Sequence, residues 1–304
     1  MIFKRLGQLE KFELLKPEFR GSQAPTPYLM DNRIRVYFSA RNSANQSLPF
    51  YMDLDKENPL IVLDRAETPI LGLGPPGEGD DSGVMVSHVF KYKADNRLRM
   101  LYTGWNKGTL KARYRTCCME AVINDDTGEW VKLGIFLDRT RLHPCGTSMP
   151  FINILEEDDY GPLRYEYHFM GYTKWEDSQP NYTIYRDYID ALEVNSYLDP
   201  TPIITILPDE AAARSWIYGE FLLFSTRHLE GYRSKNEKAY KIEYAVRTPT
   251  GHYTEKNKLL ILEDNNPMQA YPSILEVDGK TYMFYNSGKP NDFCSPINIA
   301  IQVK

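Results

Sequence analysis

Short segments in which apolar or aromatic residues alternate with polar ones follow one another along the whole chain. The clearest are "NRIRVYFSAR" (32–41), "NRLRMLYTGW" (96–105) and "GKTYMFYNSG" (279–288). A period of two is typical of half-buried β-strands, because successive side chains point to opposite faces. Helical periodicity is nearly absent; "DEAAAR" (209–214) could form one turn at most, since Trp216 and Tyr218 resume the strand pattern. The pattern therefore predicts an all-β protein.

Five of these strands share one internal order: a polar start, an aromatic-rich alternating strand, and a small hydroxyl or amide residue near the end. Taken as equivalents, these last residues are Ser39, Thr103, Thr173, Ser225 and Asn286. They are separated by 64, 70, 52 and 61 residues, which leaves room for about four strands in each period. Radial repetition of four-stranded units is typical of a β-propeller.

Each repeated strand is preceded by a short apolar strand and followed by two more, but the fifth period ends at Lys304 before its fourth strand. The N-terminal segment "FKRLGQLEKFELL" can supply that strand, and closing the ring in this way removes exposed sheet edges. We expect a single five-bladed β-propeller domain over residues 1–304, closed by pairing of the N-terminal strand with the last blade. A two-sheet sandwich with a small second domain would also fit the strand spacing, but not the repeated strand ending.

The composition of the chain limits the classes of partner that we expect. The 13% aromatic content, with 22 tyrosines, suits strands, and the net charge of −5 with scattered Lys and Arg disfavours nucleic acid. No apolar run has the length of a signal peptide core or of a membrane span, so we expect a cytoplasmic protein without membrane contact. The four cysteines lack metal-ligand spacing, and we expect neither a metal site nor a cofactor.

The entrances of the five inner strands should converge on one axial pocket. In this pocket we expect carboxylates and amides to bind sugar hydroxyls, and aromatic faces to stack on sugar rings. The substrate-binding candidates near these entrances are Asp80, Arg214, Arg20, Gln23, His143, Trp105, Trp216, Gln269 and Tyr271.

Several segments resemble the five-bladed propellers of glycoside hydrolase families 32, 43 and 130, and especially family-43-like proteins of bacterial polysaccharide loci. They are "SQAPTPYLMDNRIRVYFSARN" (22–42), "DDSGVM" followed by "LYTGWN", "DEAAARSW" with "YKIEYAVRTPTG", and "MQAYPSILEVDGKTYMFYNSG" (268–288). The resemblance implies this propeller fold and an activity on a bacterial surface glycan or its precursor.

The catalytic carboxylates that the resemblance implies are largely missing. The position of the family's general base is Ala24, before Pro25, and "HPCGTSMPFINI" (143–154) offers no Glu for the general acid. The second-blade carboxylate Asp81 matches the family pattern. Glycoside hydrolysis needs two carboxyl groups, so we expect Asp81 and Glu210 to form a substitute catalytic pair, with Arg214 holding an anionic substituent.

Each of these residues also has a structural interpretation. Asp80 and Asp81 precede Ser-Gly and are typical of a turn. Glu210 is typical of a solvated loop, and Arg214 could form an ion pair. Two functions therefore stay open: a glycoside-acting enzyme (hydrolase, transferase or phosphorylase), and a sugar-binding propeller that lacks the catalytic carboxylates. A protein-interaction platform has no specific support in the sequence.

Overall fold

A computed structural model describes residues 1–12, 16–107, 115–176, 179–190, 200–290 and 295–303. These residues form five antiparallel sheets, here called blades I to V. Blade I contains β2 (Phe19–Leu29), β3 (Arg33–Asn42), β4 (Ser47–Asp55) and β5 (Val62–Arg65). Blade II contains β6 (Gly83–Lys91), β7 (Leu98–Asn106), β8 (Arg115–Ile123) and β9 (Trp130–Leu137).

Blades III and IV repeat this order. Blade III contains β10 (Gly146–Asp158), β11 (Gly161–Glu176), β12 (Gln179–Asp190) and β13 (Thr201–Pro202). Blade IV contains β14 (Glu210–Tyr218), β15 (Phe221–His228), β16 (Lys241–Val246) and β17 (Asn257–Lys258), with a 3₁₀ turn at Asn236–Lys238 before β16. The segment from Glu210 to Arg214 is strand rather than a helical turn, and its alanines pack in the core.

Blade V joins the two ends of the chain. From the centre outward it contains β19 (Met268–Val277), β20 (Lys280–Gly288), β21 (Ile297–Gln302), β1 (Ile2–Gln8) and β18 (Leu260–Leu262). Strand β1 pairs antiparallel with β21 and parallel with β18. Closure of the ring by the N-terminal strand is confirmed. The expected fourth strand of blade IV is divided, because β17 pairs within blade IV while β18 joins blade V.

Consecutive blades contact one another, and blade V contacts blade I, which completes a five-bladed propeller. Apolar side chains fill the spaces between blades; one cluster, for example, packs Phe38 and Phe50 of blade I against Phe284 of blade V. At the centre, one cluster includes residues of all five inner strands: Ala24, Met85, Met149, Ala213 and Tyr271. The inner strands therefore meet at the axis, as the repeat predicts.

In every blade the pairing register between the inner strand and the second strand shifts near the start of the inner strand, at a β-bulge or similar irregularity. Four residues there have a left-handed backbone: Ala24 (φ 56°), Met149 (φ 49°), Arg214 (φ 50°) and Tyr271 (φ 56°). This conformation is uncommon for residues other than glycine. The strain of this backbone conformation must be offset by stabilising interactions, and the hydrogen bonds between blades supply them.

The backbone N–H in this irregularity donates to a side chain of the preceding blade. Ser39 accepts from Val86 (3.0 Å), Thr103 from Met149 (2.8 Å), Ser225 from Tyr271 (2.8 Å), and Asn286 from Ala24 (3.0 Å). The four acceptors are buried and belong to the set of equivalent residues identified in the sequence. We call these contacts the inter-blade hydrogen bonds.

The junction between blades III and IV is different. The four acceptors lie opposite the residue that precedes the irregularity, and in blade III the register places Met170 there, opposite Ser148. The assignment of Thr173 as the fifth equivalent residue is wrong, and its side chain is exposed. A charged network spans this junction: buried Glu166 of β11 accepts from Arg247 of blade IV (3.2 and 3.3 Å) and from Arg186 (3.2 Å).

Replacing Thr103 by Val tests the inter-blade hydrogen bond between blades II and III. The substitution keeps the side-chain shape but leaves the Met149 N–H without its acceptor. We expect the free energy of unfolding, measured by urea titration, to fall by about 1 to 3 kcal/mol. The matched control Thr173→Val, on an exposed side chain, should change it by less than about 0.5 kcal/mol. Equal losses in the two variants would contradict this role.

The charged network predicts a dependence of stability on pH. Burial raises the pKa of Glu166, but the adjacent His168 ring (3.5 Å), a hydrogen bond from Asn153 and the charge of Arg247 outweigh it and lower the pKa to about 2. Because the folded value lies below the usual 4.5, the contribution is complete above pH 4.5 and is lost as pH falls towards 2. Glu166→Gln should cost about 3 kcal/mol at neutral pH. This difference from the wild type should shrink below pH 4.5 in urea titrations; a difference independent of pH would contradict the ion pairing.

Candidate functional site

A partly open pocket of about 130 Å³ lies at the end of the propeller axis where the inner strands begin. We call it the axial pocket. It is lined by Gln23, Arg41, Met85, Tyr232, Arg233, Tyr240, Met268, Ala270, Tyr271, Asn286, Pro290 and Ser295. These residues come from blades I, II, IV and V.

The inter-blade hydrogen bonds explain why these residues meet. Gln23, Met85 and Ala270 each lie directly opposite the acceptor residue of their own blade, beside the irregularity. Asn286 is itself an acceptor. The remaining side of the pocket comes from the long connection between β15 and β16, residues 229–240.

Three tyrosines form an aromatic side of the axial pocket. Tyr240 and Tyr271 have ring centroids 5.8 Å apart, as do Tyr232 and Tyr240. Behind them the buried Arg227 guanidinium lies 4.0 Å from the ring centroid of Tyr232, and its Nε donates to Tyr182 (2.8 Å). Burial raises the pKa of Tyr271 to about 12 and that of Tyr240 well above its usual value, so both hydroxyls stay protonated at neutral pH.

The polar lining is cationic or neutral. The half-buried Arg41 donates from Nη1 to Asn45 (3.0 Å) and from Nε to Gln23 (3.4 Å), and lies 5.4 Å from the Trp105 ring. The exposed Arg233 lies 5.0 Å from the Tyr232 ring. Among the described residues that line the pocket, none is Asp or Glu.

Asp81 lies in the turn before β6. It accepts hydrogen bonds from the Gly77 N–H (2.7 Å), the Ser82 hydroxyl (2.6 Å) and the Asn106 amide (2.6 Å). These contacts match its structural interpretation as a turn acceptor. Asp81 does not line the axial pocket.

Asp80 is buried inside blade II. It accepts from the Tyr102 hydroxyl (3.0 Å) and forms an ion pair with Lys132 of the outer strand β9 (2.6 Å). Blade V repeats this arrangement, since Tyr285 donates to Asp264 (2.7 Å) at the equivalent place. In blades II and V, the aspartate before the inner strand therefore connects the preceding loop to the second strand through a hydrogen bond from a tyrosine.

Glu210, the other member of the expected catalytic pair, begins β14. Both of its carboxylate oxygens accept from Lys256 (2.9 and 2.7 Å), and the Leu207 N–H donates to one of them (3.0 Å). Glu210 is also outside the axial pocket. The structure gives Asp81 and Glu210 separate sets of partners, one in a turn and one in an ion pair.

Arg214 is buried at the propeller axis. Its Nη2 donates to the Pro25 carbonyl and the Thr26 hydroxyl, both at 2.8 Å, and to the Ser87 carbonyl at 3.4 Å. Because these acceptors belong to blades I and II, the side chain crosses the centre of the ring from blade IV. Its Nε and Nη1 make no hydrogen bond within the described part of the chain.

The other predicted site residues divide into three groups. Gln23 and Tyr271 line the pocket. Near them are Arg20, which is exposed and donates to Asn45 (3.5 Å), and Trp105, whose ring covers Gly83 so closely that a Cβ there would lie 2.2 Å from it. Away from the pocket are His143, which is buried against Gly171; Trp216, which packs on Phe151 and His88; and Gln269, which donates to the Asp264 carbonyl (3.3 Å).

Sequence reasoning missed the two arginines and most of the tyrosines of the pocket. Arg41 follows the repeated acceptor Ser39 by two residues, so the repeat itself could have drawn attention to it. Tyr232 and Arg233 lie in "LEGYRSKNEKAY", a connection longer than residues 43–46 at the same place in blade I. The length of that connection was the available signal.

The described residues contain neither a metal-binding cluster nor a membrane-spanning helix. They contain no group of three or more His, Cys, Asp or Glu side chains arranged to hold a metal ion. No helix in this part of the chain is long and apolar enough to cross a membrane.

Solved structures with the same fold are numerous. An exo-1,5-α-L-arabinanase from a bovine ruminal metagenomic library aligns with a TM-score of 0.60 and 12% identity, over 97% of this chain and 95% of the other. A thermostable family-43 glycoside hydrolase aligns with a TM-score of 0.63 and 17% identity, over 94% and 90%. A putative glycoside hydrolase from Parabacteroides distasonis gives 0.61 and 13%, over 94% and 87%.

Neither a protein-family profile nor a curated protein sequence matches the chain. The solved structures confirm the resemblance to glycoside hydrolase propellers at the level of the fold, over nearly the full length of both chains.

Proposed function

We propose that the protein binds a carbohydrate in the axial pocket without hydrolysing it. The observation that carries this proposal is the lining of the pocket, which combines tyrosines, an amide and arginines with no carboxylate among its described residues. Aromatic faces and a few convergent polar groups suit a sugar ring and its hydroxyls. The fold, which is also that of carbohydrate-active enzymes, supports the same ligand class.

The absence of Asp and Glu from the described lining argues against hydrolysis in this pocket. A glycosidase of the usual kind places two carboxyl groups beside the scissile bond, one as acid and one as base or nucleophile. Asp81 already accepts three hydrogen bonds in its turn, and Glu210 is paired with Lys256. Neither is available at the pocket wall without losing these partners.

An enzyme is the second candidate. The observation that favours it is that the structures sharing the fold are named as glycoside hydrolases. In such an enzyme Asp81 and Glu210 supply the acid and the base, and the substrate is a bacterial surface glycan or its precursor. A cytoplasmic location, as expected from the sequence, would favour the precursor.

A pair of amide substitutions tests sugar binding in the axial pocket. Gln23 lines the pocket, whereas Gln269 binds a backbone carbonyl outside it. With ligands identified on a glycan array, Gln23→Ala should weaken binding by about three- to tenfold in calorimetric titrations, because one hydrogen-bonding side chain is lost. Gln269→Ala should leave the affinity unchanged. Binding that is insensitive to Gln23, or no sugar binding at all, would overturn the proposal.

Substitution of Asp81 separates a turn role from a catalytic role. Asp81→Asn replaces one acceptor oxygen with a donor, so we expect the free energy of unfolding to fall by about 1 to 3 kcal/mol. The exposed control Asp126→Asn should change it little. Release of reducing sugar should be absent in the wild type. Turnover that Asp81→Asn or Glu210→Gln abolishes without loss of stability would instead establish the enzyme.

A further inference from the structure

Positive charge gathers at the axial pocket although the chain as a whole carries a formal charge of −5. Arg41 and Arg233 form part of the wall, Arg227 lies behind Tyr232, and Arg214 lies at the axis. The four arginines come from β3, β14, β15 and the connection after β15, so they are distant in sequence. A concave site lined by one sign of charge raises the local concentration of ligands of the opposite sign.

The environment of Arg214 adds a second, independent observation. Its side chain is 1% exposed, its three hydrogen bonds are to neutral oxygens, and Nε and Nη1 are unused within the described residues. Burial lowers the pKa of Arg214 to about 9, and the nearby Tyr271 opposes this effect, so the group stays charged at neutral pH.

Some less buried arginines of the protein have acidic partners. Arg35 binds Asp53 through two hydrogen bonds of 2.7 Å, and Arg186 binds Glu166. Arg214 differs from them in that its described acceptors are all neutral, and a buried cation without an anionic partner is destabilising. The Arg214 guanidinium therefore places a positive charge at the propeller axis, close enough to Tyr271 of the pocket wall to interact with it.

The two arginines of the pocket wall differ in how firmly they are held. Arg41 is positioned by Asn45, Gln23 and the face of Trp105, whereas Arg233 is exposed on the connection after β15. A planar guanidinium matches a carboxylate or phosphate with two parallel hydrogen bonds. Protonated tyrosine hydroxyls supply further donors, and the tyrosine faces suit the apolar side of a sugar ring.

We propose that the axial pocket binds an acidic saccharide, with its carboxylate or phosphate group held by Arg41 and Arg233 and its ring placed against Tyr232, Tyr240 and Tyr271. This inference rests on the proposed function, since it assumes that a sugar occupies the pocket. It adds that the ligand carries a negative charge.

The test compares matched sugars in calorimetric titrations at neutral pH. Glucuronate and galacturonate probe the carboxylate, glucosyl phosphate probes the phosphate, and glucose, galactose and methyl glucoside are their neutral counterparts. At least one acidic ligand should bind tenfold or more tightly than its counterpart, and added sodium chloride should weaken that binding but not the neutral one. Whether the uronates or glucosyl phosphate bind identifies the acidic group as a carboxylate or a phosphate.

Substitutions in the pocket complete the test. Arg41→Met and Arg233→Met should each weaken acidic ligands at least tenfold and neutral ligands less than twofold. Arg41→Lys keeps the charge but loses the planar fork, so its loss should be intermediate. Arg141→Met makes the same change in net charge on an exposed side chain outside the pocket and should have no effect.

The outcomes separate the two proposals. Equal binding of neutral and acidic sugars, with Gln23→Ala still weakening both, would overturn the acidic ligand and leave the sugar pocket intact. Failure of every sugar on the array and in the titrations would overturn both proposals. Inorganic phosphate binding as tightly as glucosyl phosphate would show that the sugar ring contributes nothing, and would also overturn the acidic saccharide.

Discussion

The architecture depends on one repeated contact, in which the backbone N–H of an irregular inner-strand residue donates to a buried side chain of the preceding blade. This contact sets the distance between neighbouring blades where they approach the axis. The contact coincides with a left-handed backbone at Ala24, Met149 and Tyr271, whereas Val86 makes it without that conformation. The residues beside the irregularity then face the axis, and their chemistry decides what the central pocket can bind.

The left-handed positions at these irregularities hold apolar, basic and aromatic residues rather than acidic ones. The position where related propellers are expected to carry a catalytic aspartate is Ala24, and the equivalent positions in blades III, IV and V hold Met149, Arg214 and Tyr271. The acidic residues near the inner strands act elsewhere: Asp80 and Asp264 bind tyrosines within their blades, and Glu210 binds Lys256. A fold shared with glycoside hydrolases is thus combined with a central pocket whose described lining contains no carboxylate.

The fold could be predicted from the sequence because its determinants are local and repeated. The acceptors Ser39, Thr103, Ser225 and Asn286 stand at the ends of similar strands, and ring closure followed from one missing strand. The error at Thr173 has a physical reason: blade III replaces the hydroxyl with Met170 and uses the distant Glu166 and Arg247, a substitution that no repeat can reveal.

The site was harder to predict because its residues are set by orientation rather than by position along the chain. Gln23 and Tyr271, expected from their place at the inner-strand entrances, line the pocket because they lie next to the irregularity. Asp81 and Asp80 are neighbours at a strand entrance, yet one points into its turn and the other into its blade. Arg233 reaches the pocket through a long connection whose path depends on tertiary packing.

The pairing of β1 with β21 and β18 also bears on how the ring assembles. Blades I to IV are built from strands adjacent in sequence, so each can form from local contacts, whereas blade V must bring together the most distant segments of the chain. Loop-closure entropy makes such pairing slow. During synthesis on the ribosome β1 cannot pair with β21 until the last strand emerges, and until then the open ring presents unpaired strand edges that other chains could pair with.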